Sequence, residues 1–221
     1  MSKQDATFCC IIEDRERQPA IWDPNRYRAV EGGGTLGDYV EVRGLRRLSA
    51  VPASPFRAIE YRDISRDDHL TFTLEEHAIK TVVNETAAKH CAVGEQALLM
   101  GTMRAYLGNI IVTPRADWLS RARPLSFAVK SEFVEIVPRD GLVYFWWAYL
   151  RSASFLAALP AGGGGTRPRL QADVLAATAV NVPGLEKRAA VHEQLARCAT
   201  REWREMLRRR AVIQAARLTL S

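Results

Sequence analysis

The sequence predicts an α+β fold: a domain with a small twisted β-sheet and packed helices over residues 1–184, followed by one long helix over residues 185–221. Three observations predict it. Short apolar or alternating runs of strand length recur ahead of Pro183, separated by Gly and Pro. Between them stand segments whose apolar residues repeat every three or four positions, as a helix face requires. After Pro183-Gly184 the chain holds no further Gly or Pro, and Ala, Leu, Arg, Glu and Gln, all good helix formers, dominate it.

The elements follow in order. A strand is expected near Phe8–Ile12, then irregular chain punctuated by Pro19 and Pro24. Thr35 is placed to cap a short helix running to Val40. Phe56–Tyr61 alternates as a strand does. Thr73–Val83 reads as a helix, with Thr73 and Glu76 forming a capping box and Leu74, Ala78, Ile79 and Val82 on one face. Strands are expected over Gln96–Met103, Ile110–Val112, Leu125–Val129 and Phe133–Val137, with Gly101 and Gly108 bracketing a turn. Asp140 caps a helix that continues to about Leu159, its face formed by Leu142, Phe145, Trp146, Tyr149, Leu150, Leu156 and Leu159, and Pro160 stops it. Gly162–Gly165 forms a loop, a short helix follows near Ala172–Ala176, and a strand near Ala179–Val182. Uninterrupted, the last helix is about 54 Å long at 1.5 Å per residue, too long to lie wholly on a domain this small.

Composition narrows the function. The chain has 221 residues, 48% of them hydrophobic and 25% charged, which are ordinary globular values. No apolar run approaches the ~20 residues of a membrane span, and no secretory leader is expected from the short patch Phe8–Ile12, so a cytoplasmic protein with no membrane partner is expected. Four cysteines without a CxxC spacing read as reduced thiols. The formal net charge is +6, and residues 185–221 hold nine basic against four acidic side chains, a surplus of five. A basic end on a nearly neutral body suits a polyanion, although a solvated helix face gives the same count.

Catalytic and metal motifs are missing. Gly32, Gly34 and Gly37 spell GxGxxG, but no apolar strand precedes them and a turn explains them better. His77, His90 and Cys91 are too scattered for a zinc site, and no GxSxG, HExxH or Walker lysine motif occurs. The expectation is therefore a non-enzyme with no metal and no cofactor. Binding residues are better supported. Thr166, Arg167 and Arg169 follow the glycines of 162–165, where backbone can approach a duplex and guanidinium groups can take phosphate or guanine, the alternative being a mobile surface loop. Thr102, Arg104 and Tyr106 lie between Gly101 and Gly108 at a hairpin, where the plainer alternative is a polar strand end with the tyrosine packed inward. Arg46 and Arg47, with Arg43, form one further cluster, and Arg121 and Arg123, with Arg115 around Trp118, form another; either could contact backbone phosphates, and a solvated arginine is the plainer reading for any one of them. On the long helix Val191, Leu195, Ala199, Trp203, Met206 and Ile213 form an apolar stripe, interrupted at Arg208–Arg210, that calls for a partner helix.

The order of these pieces resembles the target-recognition half of type I restriction–modification specificity subunits. Leu36-Gly37-Asp38-Tyr39-Val40-Glu41 resembles that family's opening LGD turn, and Pro55-Phe56-Arg57-Ala58-Ile59 with Asp63-Ile64 its PFI…DI strand. Gly94–Leu99 with Thr102, Arg104, Leu107 and Gly108 resembles its GDIL…TR…LG hairpin. Leu142–Leu150 with Arg151-Ser152, and Gly165-Thr166-Arg167-Pro168-Arg169-Leu170, resemble its aromatic helix ending in LRS and its RPRL loop. Val182-Pro183-Gly184-Leu185-Glu186 resembles its PPLEEQ entry to a long helix, with Gly184 in place of the second proline and Arg188 in place of the Gln. The similarity covers roughly residues 35–205. It implies a sequence-specific reader of double-stranded DNA in a methylation or antiviral defence system, partnered by a methyltransferase (modification) subunit and a restriction subunit. The family's full subunit carries two recognition domains and two such helices, and this chain carries one of each. A homodimer, or pairing with a second half subunit, through the long helix is therefore expected. A protein-interaction adaptor of the same fold that no longer reads DNA is the alternative, and a small enzyme such as a nuclease a third. Removing the charges of Arg167 and Arg169 is expected to weaken DNA binding without unfolding the chain, which a gel-shift titration beside a thermal melt checks.

Overall fold

The computed structural model describes residues 33–48, 57–61, 64, 80–81, 90–115, 127–159 and 169–220, with backbone alone at several strand and helix positions. The expected strand at Phe8–Ile12 lies outside these residues.

The fold is α+β, but the strands form three sheets among the described residues rather than one. A four-stranded antiparallel sheet runs in the order β2 (Val40–Gly44), β9 (Phe133–Pro138), β6 (Leu98–Gly101), β7 (Ile110–Val112). A second runs β4 (Lys80–Thr81), β3 (Arg57–Ile59), β8 (Phe127–Lys130), β5 (His90–Val93), with β3 parallel to β8. A two-stranded ribbon pairs β1 (Gly33–Thr35) with β10 (Ala179–Asn181). Consecutive strands β8 and β9 lie in different sheets, and the turn Ser131-Glu132 between them is where the chain crosses from one to the other. Every residue of β6 and β7 is buried, which explains why these strands read as apolar runs rather than as alternation.

Two expectations need correction. The helix expected over Thr73–Val83 is not seen where that segment is described: Lys80–Thr81 is a strand, paired with Arg57 and Ala58 of β3. Pairing with a neighbouring strand overrides a local helical pattern there. The helix expected from Asp140 to Leu159 is two helices, α2 (Val143–Arg151) and α3 (Ala153–Ala158). Ser152 breaks it by taking an extended backbone and accepting a hydrogen bond from the Phe155 N–H at 3.2 Å, so the serine caps a new helix instead of continuing the old one. The other helices match their patterns: α1 (Leu36–Tyr39), capped by Thr35 with Asp38 reaching back to the Thr35 N–H at 2.7 Å, α4 (Ala172–Ala176) and α5 (Leu185–Leu220).

The core joins both four-stranded sheets to α2 and to the first half of α5. Val191, Leu195, Ala199 and Trp203 of α5 belong to it, with Trp203 only 1% exposed. Four of the six residues expected to form a dimerisation stripe are thus buried against the chain's own domain. The helical spacing is as expected, but spacing alone does not say which surface a helix face meets, and a large apolar surface is available in the same chain. Each such side chain contributes about 1.5–3 kcal/mol on full burial. Met206 and Ile213, further along α5, are described by their backbone alone.

A polar joint fixes the start of α5 to the start of α2. Asp140 accepts from the Leu142 N–H at 3.0 Å and the Trp146 indole N–H at 3.1 Å, and pairs with Arg188 at 2.5 Å. The Arg188 guanidinium also lies 5.6 Å from the Tyr39 ring centroid. One turn on, His192 Nδ1 accepts from the Tyr144 N–H at 3.2 Å. Burial holds this imidazole below the ordinary 6.5, against the opposing pull of the Leu142 backbone and of Asp140 and Glu193. The successive contacts Asp140–Arg188 and Tyr144–His192 show that α2 and α5 leave this joint in the same direction. Both Asp140 and Arg188 side chains are 13% exposed. Arg188→Ala is therefore expected to leave a nearly buried carboxylate without its cation and to lower unfolding stability by about 3 kcal/mol, measured by urea denaturation.

Candidate nucleic-acid interface

The strand registers gather four chain segments at one end of the sheets. β9 begins at Phe133, opposite Gly101, the last residue of β6. β2 ends at Gly44, opposite Val134. β8 ends at Lys130, opposite His90, the first residue of β5. The segments leaving these ends carry Arg46 and Arg47 after β2, Thr102, Arg104 and Tyr106 after β6, and Lys130 and Glu132 at the sheet-crossing turn. Arg169 joins them, bridged by its backbone to Met103. The joint around Asp140 and Arg188 lies beyond the opposite end of β9, where Val40 faces Pro138.

One carbonyl holds this end together. The Glu132 backbone oxygen accepts from the Thr102 N–H at 2.8 Å, from the Thr102 hydroxyl at 2.7 Å and from the Tyr61 hydroxyl at 3.3 Å. The Thr102 carbonyl in turn accepts from the Leu170 N–H at 3.0 Å. Thr102, expected as a contact residue, is 7% exposed, and its hydroxyl is used inside the protein, tying the β6 end, the crossing turn and the chain at Arg169 together. Tyr61 stacks on Phe133, with ring centroids 4.8 Å apart, and its phenol is pushed up to about 12 by burial. A cavity of about 230 Å³ opens here, lined by Ile59, Glu60, Tyr61, Lys130, Glu132 and Phe133. Gly101 makes the close packing possible, because a Cβ at this position would stand 2.3 Å from the Tyr61 ring.

Around this frame the cations face solvent. Arg46, Arg47, Arg104 and Arg169 are exposed. Arg169 lies 3.9 Å from the Glu132 carboxylate, and Lys130 lies 3.9 Å from Glu60. Pairs as open as these are weak and screened, so both cations remain available to an anion. Arg47 is positioned by a backbone bridge to Cys91, next to the Leu48 N–H bond to the His90 carbonyl at 2.8 Å. Arg104 has φ 52 and stands before a turn of 3₁₀-helix, Ala105–Leu107, that ends at Gly108 with φ 63. A non-glycine residue in the left-handed region is strained, and such strain concentrates at functional positions. Tyr106, for which inward packing was the alternative, is 60% exposed.

Five of the expected residues, Arg46, Arg47, Arg104, Tyr106 and Arg169, thus come together. Thr166, Arg167, Arg121 and Arg123 lie outside the described residues. Arg115 does not join the cluster, since it follows β7 at the end where Val112 pairs with Leu98. Arg43 is paired with Glu41 at 2.6 Å. Sequence reasoning missed Lys130 and Glu132. Their signal was a charged pair interrupting two apolar strands, but nothing in the sequence said that the interruption was a crossing between sheets. Among the described residues no group of three His, Cys, Asp or Glu side chains is placed to hold a metal, and no helix is long and apolar enough to cross a membrane.

No family model matches the chain, and no curated protein does. Over most of its length the chain is similar in structure to specificity subunits of type I restriction–modification systems. The HsdS subunit from Thermoanaerobacter tengcongensis matches with a TM-score of 0.47 and 13% identity, covering 93% of this chain and 49% of that one. A chain from a structure on the complex assembly and conformational transition of the type I R-M system matches with a TM-score of 0.46 and 13% identity, covering 96% and 54%. This chain therefore spans about half the length of those it matches, and likeness at this level carries no functional assignment.

Arg104→Gly is expected to separate folding from binding. It removes left-handed strain, so stability should rise by a few tenths to about 1 kcal/mol, less than the full strain because glycine also loosens the unfolded chain. Loss of the guanidinium should weaken duplex binding in the same preparation, with thermal melts and fluorescence anisotropy as the paired measurements.

Proposed function

We propose that the chain is a DNA-reading specificity component of a type I-like restriction–modification or related DNA-methylation system, itself without catalytic activity. The observation that carries this reading is the convergence of Arg46, Arg47, Arg104, Lys130 and Arg169 on one end of the sheets, around a frame held rigid by the Glu132 carbonyl. Exposed cations on a fixed frame suit a regular array of phosphates, and arginine adds bidentate contact to guanine. The six motifs in family order, from Leu36-Gly37-Asp38 to Val182-Pro183-Gly184, support the same reading. A modification subunit would supply the chemistry, and a restriction subunit would join where cleavage is served. Pairing with a second copy or another half subunit falls to the stretch of α5 beyond Trp203, where Val212 is 68% exposed, because the stripe before it is buried in the chain's own core. Two-fold pairing implies an interrupted palindrome as the site.

Random-sequence duplex should bind with an affinity that falls steeply between about 50 and 200 mM salt, as counterions are released from neutralised phosphates. Alanine at Arg46 or Arg47 should each reduce the slope of log affinity against log salt by about 1, read by fluorescence anisotropy. Absence of any salt-dependent binding by the wild-type chain would overturn the reading in favour of an adaptor without DNA recognition.

A further inference from the structure

The turn Ala105–Leu107 is built to hold one aromatic ring away from the protein. The chain enters it through Arg104 and leaves it through Gly108, both in left-handed backbone, with the Leu107 N–H on the Arg104 carbonyl at 2.9 Å and the Gly108 N–H on the Ala105 carbonyl at 3.0 Å. Its underside is fixed. Ala105 is buried, the Gly101 N–H donates to the Asn109 carbonyl at 2.8 Å, and Leu156 of α3 packs so close to Gly108 that a Cβ there would lie 3.1 Å from it. At the apex Tyr106 is 60% exposed, and its ring has no hydrogen bond or ring partner among the described residues. Tyrosine gains most from burying its ring, so an exposed one on a strained, anchored turn is an arrangement that folding alone does not favour. The charge around it indicates the occupant: Arg104 is two residues away, and Arg46, Arg47, Lys130 and Arg169 lie at the same end.

We propose that Tyr106 is a stacking residue that inserts against a base step of bound duplex DNA while Arg104 holds an adjacent phosphate. This rests on the DNA-reading function above and adds a means of selection to it. A ring that must wedge between neighbouring bases favours steps that unstack easily, so pyrimidine–purine steps are the expected target of this element, read through deformability rather than base-edge hydrogen bonds. The phenol hydroxyl is not required.

The test uses the full chain and the duplex it selects from a randomised pool, with 2-aminopurine placed in turn at each adenine. Wild type should change 2-aminopurine fluorescence at one step. Tyr106→Phe should preserve both signal and affinity. Tyr106→Ala should abolish the signal and weaken binding about 5- to 100-fold. The salt slope should stay the same, because no charge is removed, and the thermal melt should be unchanged, because the ring is exposed. If wild type selects no duplex, the DNA-reading function itself fails. If wild type selects one and Tyr106→Ala matches it in signal and affinity, stacking alone is overturned. Stacking is equally overturned if Tyr106→Ala keeps DNA binding and loses capture of a modification subunit, which would make the ring a protein contact.

Discussion

The seam between α2 and α5 is the constraint on which the rest of the molecule depends. Val191, Leu195, Ala199 and Trp203 place one face of a 36-residue helix in the domain core, and the Asp140–Arg188 pair sets where that helix begins. Apolar burial holds the two helices together, and the ion pair gives the contact a unique register, since an uncompensated charge in a nearly buried site is costly. Arg188 stands where the resembled family has Gln, so the chain's departure from that motif coincides with the residue that makes this joint. The stripe from Val191 to Trp203 is thereby used within the chain.

The opposite end of β9 is organised by hydrogen bonds instead. There a single carbonyl, that of Glu132, takes three donors from Thr102 and Tyr61, and the Thr102 carbonyl takes a fourth bond from Leu170. A fully satisfied network of this kind fixes backbone segments that are far apart in sequence, and a rigid frame lowers the ordering cost when a ligand binds. The cations on it come from four separate segments, none basic enough alone to mark a site. Their shared position is a product of strand register, and with it comes the strained turn that holds Tyr106 in solvent.

Much of the fold was legible in the sequence because local chemistry decided it. Thr35 announced α1, Pro183-Gly184 the start of α5, and the apolar run Ile110–Val112 a strand. Where legibility failed, a partner outside the local pattern had overruled it: Lys80–Thr81 pairs with β3, and Ser152 accepts from Phe155 rather than letting the helix continue. The candidate site was half legible. Arg46, Arg47, Arg104, Tyr106 and Arg169 stand out as members of small clusters, yet their union does not, because it depends on β2, β6 and β8 ending side by side. The internal partner of Thr102 is hidden for the same reason. Its hydroxyl looks free until the crossing turn, thirty residues on, supplies its acceptor.

Hydrogen exchange with and without selected duplex tests the central claim most directly, because it asks every segment at once which end of the sheets meets DNA. Slower exchange is expected in residues 44–48, 101–107, 130–132 and 169–170, with the ribbon of Gly33–Thr35 and Ala179–Asn181 unchanged. Protection confined to that ribbon and to the Asp140–Arg188 joint, with none at the Glu132 end, would contradict it.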